Sequence, residues 1–169
     1  NAGSWTSKND MTAPSRSGIC YRYHIKPSNR EAPPMQVTTP TERLTDAALL
    51  AMLQAAADKA RAMGQPQCIV IVDPSAVDLA VLRMTGARVL SLRSARAKAQ
   101  TAASTGKPSS ALAEAVRPAI AAATDGTMTG LPGGLPIWRG GVLLGGIGIG
   151  SGTGSQDVEV AEAALAAIG

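Results

Sequence analysis

Five residues of the chain combine the chemical types and positions that a small-ligand site needs. Asp73 directly follows a β-branched run, Arg83 ends the next apolar segment, and Lys98 lies in an alanine-rich stretch. A carboxylate can act as a base or a metal ligand, whereas arginine and lysine bind carboxylates and phosphates. Gly133 and Gly134 precede a proline and an apolar run, where bare backbone amides can face an anion. We therefore take these residues as the candidate ligand-binding site.

Each candidate also has a purely structural interpretation. Asp73 opens an Asp-Pro-Ser turn, in which aspartate commonly accepts hydrogen bonds from backbone amides, and we favour that role. Arg83 is equally well explained as a solvated surface arginine, and Lys98 as an exposed residue of a helix. Asp157 is expected to cap the last helix rather than to bind a ligand.

The residue types exclude several classes of catalytic and metal site from the main part of the chain. The only histidine is His24, near the N-terminus, so a Ser-His-Asp or Cys-His centre cannot form elsewhere. The two cysteines, Cys20 and Cys68, provide neither zinc-ligand spacing nor a disulfide framework. The glycine-rich stretch 145–154 does not fit the dinucleotide-binding fingerprint. We therefore expect no metal site.

Composition and charge indicate one soluble domain with an aliphatic core. The 169 residues include no phenylalanine. Of the net charge of +4, residues 1–35 contribute +3, from five basic and two acidic groups, so a nucleic-acid-binding face is not implied. The chain has no apolar run of about 18 residues and no signal-peptide pattern, so we expect no membrane partner and a cytoplasmic location.

Proline and turn residues divide the chain into an arm and a domain. Residues 1–40 are expected to form an irregular N-terminal arm, whose opening residues resemble an expression-tag scar, and residues 41–169 the domain. Capping signals and apolar spacing predict helices over 45–64, from 91 or 94 to about 104, over 109–123 with a break at Pro118, and up to 168. Strands are expected at 68–72, 79–83, before Leu90, at 136–139 and at 142–149. Their tight hairpins favour an antiparallel sheet and the α+β class.

Several motifs resemble those of one family, in the same order along the chain. The segments 72–73, 83–87 and 95–99 are similar to its V-D, R-M-D-G-A and A-x-x-K-A motifs, and 133–137, 145–149 and 156–157 to its glycine-rich and Q-D motifs. From about residue 44 to its end, the chain resembles the GlcG/HbpS-like family, also called the haem-degrading or DUF336 family. It is also similar to the C-terminal domain of PduO-type corrinoid adenosyltransferases.

The resemblance implies a profilin-like, five-stranded antiparallel sheet with flanking helices, assembled into dimers or larger homo-oligomers. It also implies a small ligand, either haem or a small anionic metabolite. Haem iron usually takes His, Cys, Met or Tyr as axial ligand, so the lack of a histidine in the domain weakens the haem interpretation, and Cys68 and Met84 are expected to be core residues. Trp138 is expected either to anchor a subunit interface or to fill the core.

The alternative function is that of a small cofactor-independent enzyme of a catabolic pathway. A lyase, hydratase or isomerase of this kind would use Lys98 or Asp73 as its acid–base group.

Overall fold

The computed structural model describes residues 34–169, and most of the predicted arm lies outside the described residues. Residues 34–45 contain no helix or strand. A separate compact unit runs from Pro40 to Gly169. No helix among the described residues is long and apolar enough to cross a membrane.

This unit consists of α-helices and β-strands joined by short turns. In chain order they are α1 (Asp46–Ala62), β1 (Cys68–Val72), β2 (Asp78–Arg83), α2 (Ser91–Thr105), α3 (Arg117–Ala123), β3 (Gly134–Arg139), β4 (Val142–Gly150) and α4 (Gly154–Ala166). Two short 3-10 turns, Ser109–Ala111 and Glu114–Val116, lie between α2 and α3.

The strands form one antiparallel sheet in the order β2-β1-β4-β3. The α+β class is therefore confirmed, but the expected number of five strands is wrong, since the sheet of the described residues has four. The segment before Leu90 turns directly into α2 instead of extending. The sheet ends at β3, where Pro136 has no N–H to donate, and proline within sheets is confined to edge strands.

Local sequence signals explain where several elements begin. Thr45 caps α1 by accepting a hydrogen bond from the Ala48 amide at 3.2 Å, as the capping pattern predicts. Pro118 was expected to break a helix, but it lies in the first turn of α3, where its missing N–H is not needed. The five residues of β1 are all buried, as their β-branched run predicts.

Alternation along β4 gives the sheet two different faces. Ile147 and Ile149 join the core that includes α1 and α4. The residues that alternate with them, on the α2 side of the strand, are glycines: Gly146, Gly148 and Gly150.

These glycines let α2 pack against the strand backbone itself. A Cβ at Gly148 would lie under 3.0 Å from the Ala95 carbonyl oxygen, and one at Gly146 would come as close to the Ala99 oxygen. Real Cβ atoms essentially never approach that closely. The alanines of α2 and the glycines of β4 together therefore set how near the helix lies.

Substituting Gly148→Ala tests this close approach. Because the added methyl group overlaps the α2 backbone, we expect the free energy of unfolding to fall by about 3 kcal/mol or more. The control is Gly126→Ala, which has open space around it and only the left-handed φ of +74° to strain it. That strain costs about 1–2 kcal/mol. Equal losses for the two variants in urea denaturation would contradict backbone-to-backbone packing.

Candidate functional site

A buried ion pair joins α2 to α4. The Lys98 ammonium lies 2.6 Å from the Asp157 carboxylate, and the two side chains are only 5% and 3% exposed. Lys98 also donates a hydrogen bond of 2.8 Å to the Ile149 carbonyl, and Asp157 accepts one of 3.1 Å from the Gly152 amide. The pair therefore ties two helices to β4 and to the loop that follows it.

Burial controls the protonation of this carboxylate. It raises the pKa of Asp157 above the ordinary value of 3.8, although the Lys98 ammonium and the Gly152 N–H each lower it. Gln67 is fully buried, and its amide nitrogen and oxygen make no hydrogen bond within residues 34–169. The side-chain amide of Gln67, near Asp157, is thus a buried polar group without hydrogen-bond partners, and such a group is costly in a protein interior.

The cap of α4 is not Asp157, and that prediction is wrong. Thr153 is the N-cap, accepting a hydrogen bond from the Gln156 amide, while the Gln156 side chain bonds the Thr153 amide in a capping box. With these amides satisfied, Asp157 turns inward to Lys98.

The two predicted glycines pack around this ion pair. A Cβ at Gly133 would lie 2.5 Å from the Asp157 Cβ and 3.3 Å from the Lys98 Nζ, and Gly133 has a φ of +103°. The Gly134 amide already donates to the Ser109 hydroxyl at 3.0 Å. The structure therefore places Lys98 and both glycines together, since Gly133 leaves room for the ion pair and Gly134 leaves room for the Lys98 backbone.

A cleft opens above the ion pair, which we call the Lys98 cleft. Its volume is about 230 Å³. Its polar lining includes Lys98, Asp157 and Arg88, together with serines of the α2 start and of the loop after β4: Ser91, Ser94 and Ser151. The Ser151 hydroxyl accepts a hydrogen bond of 3.0 Å from the Arg88 amide, so the loop is fixed to the start of α2.

Asp73 lies elsewhere and forms a turn. Its carboxylate accepts hydrogen bonds from the amides of Ser75 and Val77, at 2.8 and 3.0 Å. Asp73 follows the end of β1 that pairs with Gly146, whereas Lys98 bonds to Ile149. Three residues of strand separate those positions, about 10 Å. Asp73 and Lys98 are thus not brought together as an acid–base pair, and the carboxylate beside Lys98 is Asp157.

Arg83 lines a second, larger cleft of about 510 Å³, which we call the Arg83 cleft. It lies between the end of α1 and the end of β2, and Arg61 lines it as well. Its apolar lining includes Pro66, Leu82 and Met84. The Arg83 guanidinium donates to the Ala87 carbonyl at 3.3 Å, which helps to hold it at the cleft.

Comparison with known proteins decides the family. The family model of the haem-degrading HbpS-like proteins matches residues 44–166. The chain belongs to the HbpS-like family. The predicted resemblance is therefore confirmed.

Relatives of this HbpS-like chain include a longer protein and two solved structures. The corrinoid adenosyltransferase PduO of Salmonella typhimurium is 31% identical over 141 residues, which are 80% of this chain but 42% of that protein. A crystal structure of a PduOC:heme complex has a TM-score of 0.70 and 30% identity, covering 75% of this chain and 95% of that one. The crystal structure of HbpS has a TM-score of 0.71 and 32% identity, covering 79% and 95%.

Sequence reasoning missed Arg88 and Ser151 and assigned Asp157 a different role. Arg88 follows the R-M-T-G-A segment by one position, and Ser151 follows the last residue of β4. Their bond joins positions 63 residues apart in the sequence, so no local pattern reports it. For Asp157, the Thr153–Gln156 capping box was the available signal, because it leaves the aspartate free for another partner.

Removing Lys98 tests how much the fold depends on the ion pair. For Lys98→Met we expect the free energy of unfolding near neutral pH to fall by about 3–5 kcal/mol, because a buried carboxylate loses its partner. The pKa of Asp157 is already raised, and losing the ammonium raises it further. The loss should therefore shrink as the pH falls below neutral and Asp157 becomes protonated and neutral.

Urea denaturation at several pH values measures this effect. The control is Lys107→Met, at an exposed lysine after α2, for which we expect a change within about 0.5 kcal/mol. The double variant Lys98→Met/Asp157→Asn should be more stable than Lys98→Met alone. A loss for Lys98→Met as small as that of the control would contradict a stabilising pair.

Proposed function

We propose that the chain is a small-ligand-binding protein and that its ligand is a small anion held in the Lys98 cleft. The observation that carries this proposal is that Arg88, an exposed arginine, lines the cleft. Within the described part of the chain, its side chain forms no ion pair, whereas the Lys98 charge is already matched by Asp157. An arginine fork with unused donors binds carboxylates and other oxoanions in bidentate fashion.

Hydroxyl groups complete the donor set. Ser91 and Ser151 line the same cleft as Arg88, and the Ser151 oxygen, which accepts from the Arg88 amide, keeps its own proton for a ligand. Lys98 has three N–H donors and uses two of them, on Ile149 and Asp157. The cleft thus offers several donors to one acceptor-rich ligand.

The volume of the cleft limits the size of this ligand. Pockets for drug-sized molecules measure about 300–1,000 Å³, and the Lys98 cleft is smaller, at about 230 Å³. A small metabolite fits the cleft, whereas a tetrapyrrole does not.

Binding of two small monoanions, succinamate and methanesulfonate, tests the proposal. Followed by amide NMR shifts on the full chain, either probe should move the signals of Ser91, Ser151 and Gly152 saturably. For Arg88→Gln we expect affinity at least about tenfold lower, because a charge-assisted hydrogen bond is lost. Arg93→Gln, at an exposed arginine outside the cleft lining, is the control and should bind like the wild type. Shifts elsewhere, or equal binding by both variants, would refute the site.

Haem is a second candidate ligand, at the Arg83 cleft. A similar protein, PduOC, has been crystallised as a heme complex. The Arg83 cleft combines an apolar floor of Pro66, Leu82 and Met84 with the guanidiniums of Arg61 and Arg83. An apolar surface edged by cations suits part of a tetrapyrrole and its carboxylates. At about 510 Å³ the cleft covers only part of such a ligand.

Self-association belongs to the same proposal, because a second copy of the chain can cover the part of a haem that the Arg83 cleft leaves exposed. Apolar side chains on and after β2 are exposed, and Trp138 is 51% exposed, which favours an interface role for it over a core role. The exposed residues near β2 are Val77, Leu79, Val81, Val89 and Leu90.

A hemin titration followed at the Soret band tests this second candidate. On the full chain we expect a saturable shift, weakened at least about fivefold in Arg61→Gln/Arg83→Gln because two propionate partners are lost, and unchanged in Arg88→Gln. Light scattering on the same samples should report a species larger than one chain. If Arg61→Gln/Arg83→Gln binds hemin as tightly as the wild type, the Arg83 cleft is excluded as the haem site. If the wild type shows no saturable shift, haem is excluded as a ligand.

A further inference from the structure

We propose that the Lys98 cleft selects singly charged anions over doubly charged ones of the same size, an inference that rests on the proposed anion site. The formally charged groups of its lining are Arg88, Lys98 and Asp157. Lys98 and Asp157 neutralise each other at 2.6 Å, so one positive charge, that of Arg88, remains for a ligand.

A second negative charge on the ligand would find no charged partner of its own. The other donors of the lining are neutral hydroxyls, and the Ser94 hydroxyl is already donated to the Ser91 carbonyl at 3.0 Å. Three amides around the start of α4 are already engaged, because those of Thr153 and Gln156 bond in the capping box and that of Gly152 bonds Asp157.

The Asp157 carboxylate also acts against a dianion directly. It lines the cleft and is held there by its bond to Lys98, so a second anionic group placed deep in the cleft faces a fixed negative charge. In a partly buried site such a repulsion is worth several-fold in affinity even at an effective dielectric constant of about 20. The ion pair thus sets the charge that the cleft accepts, while Arg88 supplies the attraction.

Two probes of matched shape measure this selectivity. Succinamate has a carboxamide where succinate has its second carboxylate. The two molecules therefore have nearly the same shape, but succinate carries two negative charges and succinamate one. Near neutral pH on the full chain, we expect succinamate to bind at least about fivefold more tightly than succinate. In Asp157→Asn the Lys98 ammonium loses its negative partner, and the preference should disappear or reverse.

The unaltered protein provides a second measurement in case Asp157→Asn does not fold. Methanesulfonate keeps one negative charge, and sulfate keeps two, at all mild pH values. Because burial raises the pKa of Asp157, lowering the pH protonates this carboxyl and uncovers the Lys98 charge. The affinity for sulfate should therefore rise relative to methanesulfonate as the pH falls below neutral. Lys98 is the charged group facing Asp157, and Cys68, whose thiol pKa is raised by burial, stays neutral over this range.

The outcomes separate this inference from the proposed function. If neither succinamate nor methanesulfonate binds the folded protein, the anion site itself is refuted. If they bind, but succinate binds as tightly as succinamate and sulfate gains nothing at lower pH, the site stands and its charge selectivity is refuted. Lower affinity for succinamate in Arg88→Gln, with Arg93→Gln unchanged, ties whichever result is obtained to this cleft.

Discussion

The contact between α2 and β4 determines where the site lies. A helix normally keeps its distance from a strand because side chains stand between the two backbones, but β4 presents glycines to α2, and α2 presents alanines to β4. The helix therefore approaches the strand backbone itself. At that distance the Lys98 side chain reaches the Ile149 carbonyl and meets Asp157 beyond it, in the space that Gly133 leaves open. A larger residue on this face of β4 would separate the two charges by moving the helix that carries one of them.

Stability alone does not account for charges at this position. The desolvation of two buried ions offsets much of their attraction, and apolar residues of similar volume are often as stable or more so. The pair of Lys98 and Asp157 is satisfied further by Ile149 and Gly152, yet the neighbouring Gln67 amide is left without partners among the described residues. A buried ion pair with this desolvation cost, beside a cleft that Arg88 also lines, supports the proposed role of the cleft in binding an anion.

Local signals predicted the elements well and the site only in part. The Thr45 cap, the β-branched run of β1 and the alanine-rich α2 are short-range patterns, and each predicted its element correctly. Lys98 was found because its helix is lined with small residues, but its partner comes from 59 residues away, and Arg88 meets Ser151 across 63. Contacts of that range depend on how the elements pack, which spacing along the chain does not report. The fifth strand, expected before Leu90 and also implied by the family resemblance, does not form, because that segment turns directly into α2.

Membership of the HbpS-like family determines the fold over residues 44–166, while the side chains of each cleft decide the ligand. A strong axial haem ligand is not evident in the lining of the Arg83 cleft. The lining contains no histidine, cysteine or tyrosine, and its one methionine, Met84, already accepts a hydrogen bond from the Gln67 backbone N–H. Burial also raises the pKa of the Cys68 thiol and so disfavours a thiolate. Haem at the Arg83 cleft would be held by apolar contact and by arginines, and its iron would need a ligand from elsewhere. A small anion in the Lys98 cleft needs no group beyond those already in place. The described residues therefore support the proposed anion more completely than they support haem.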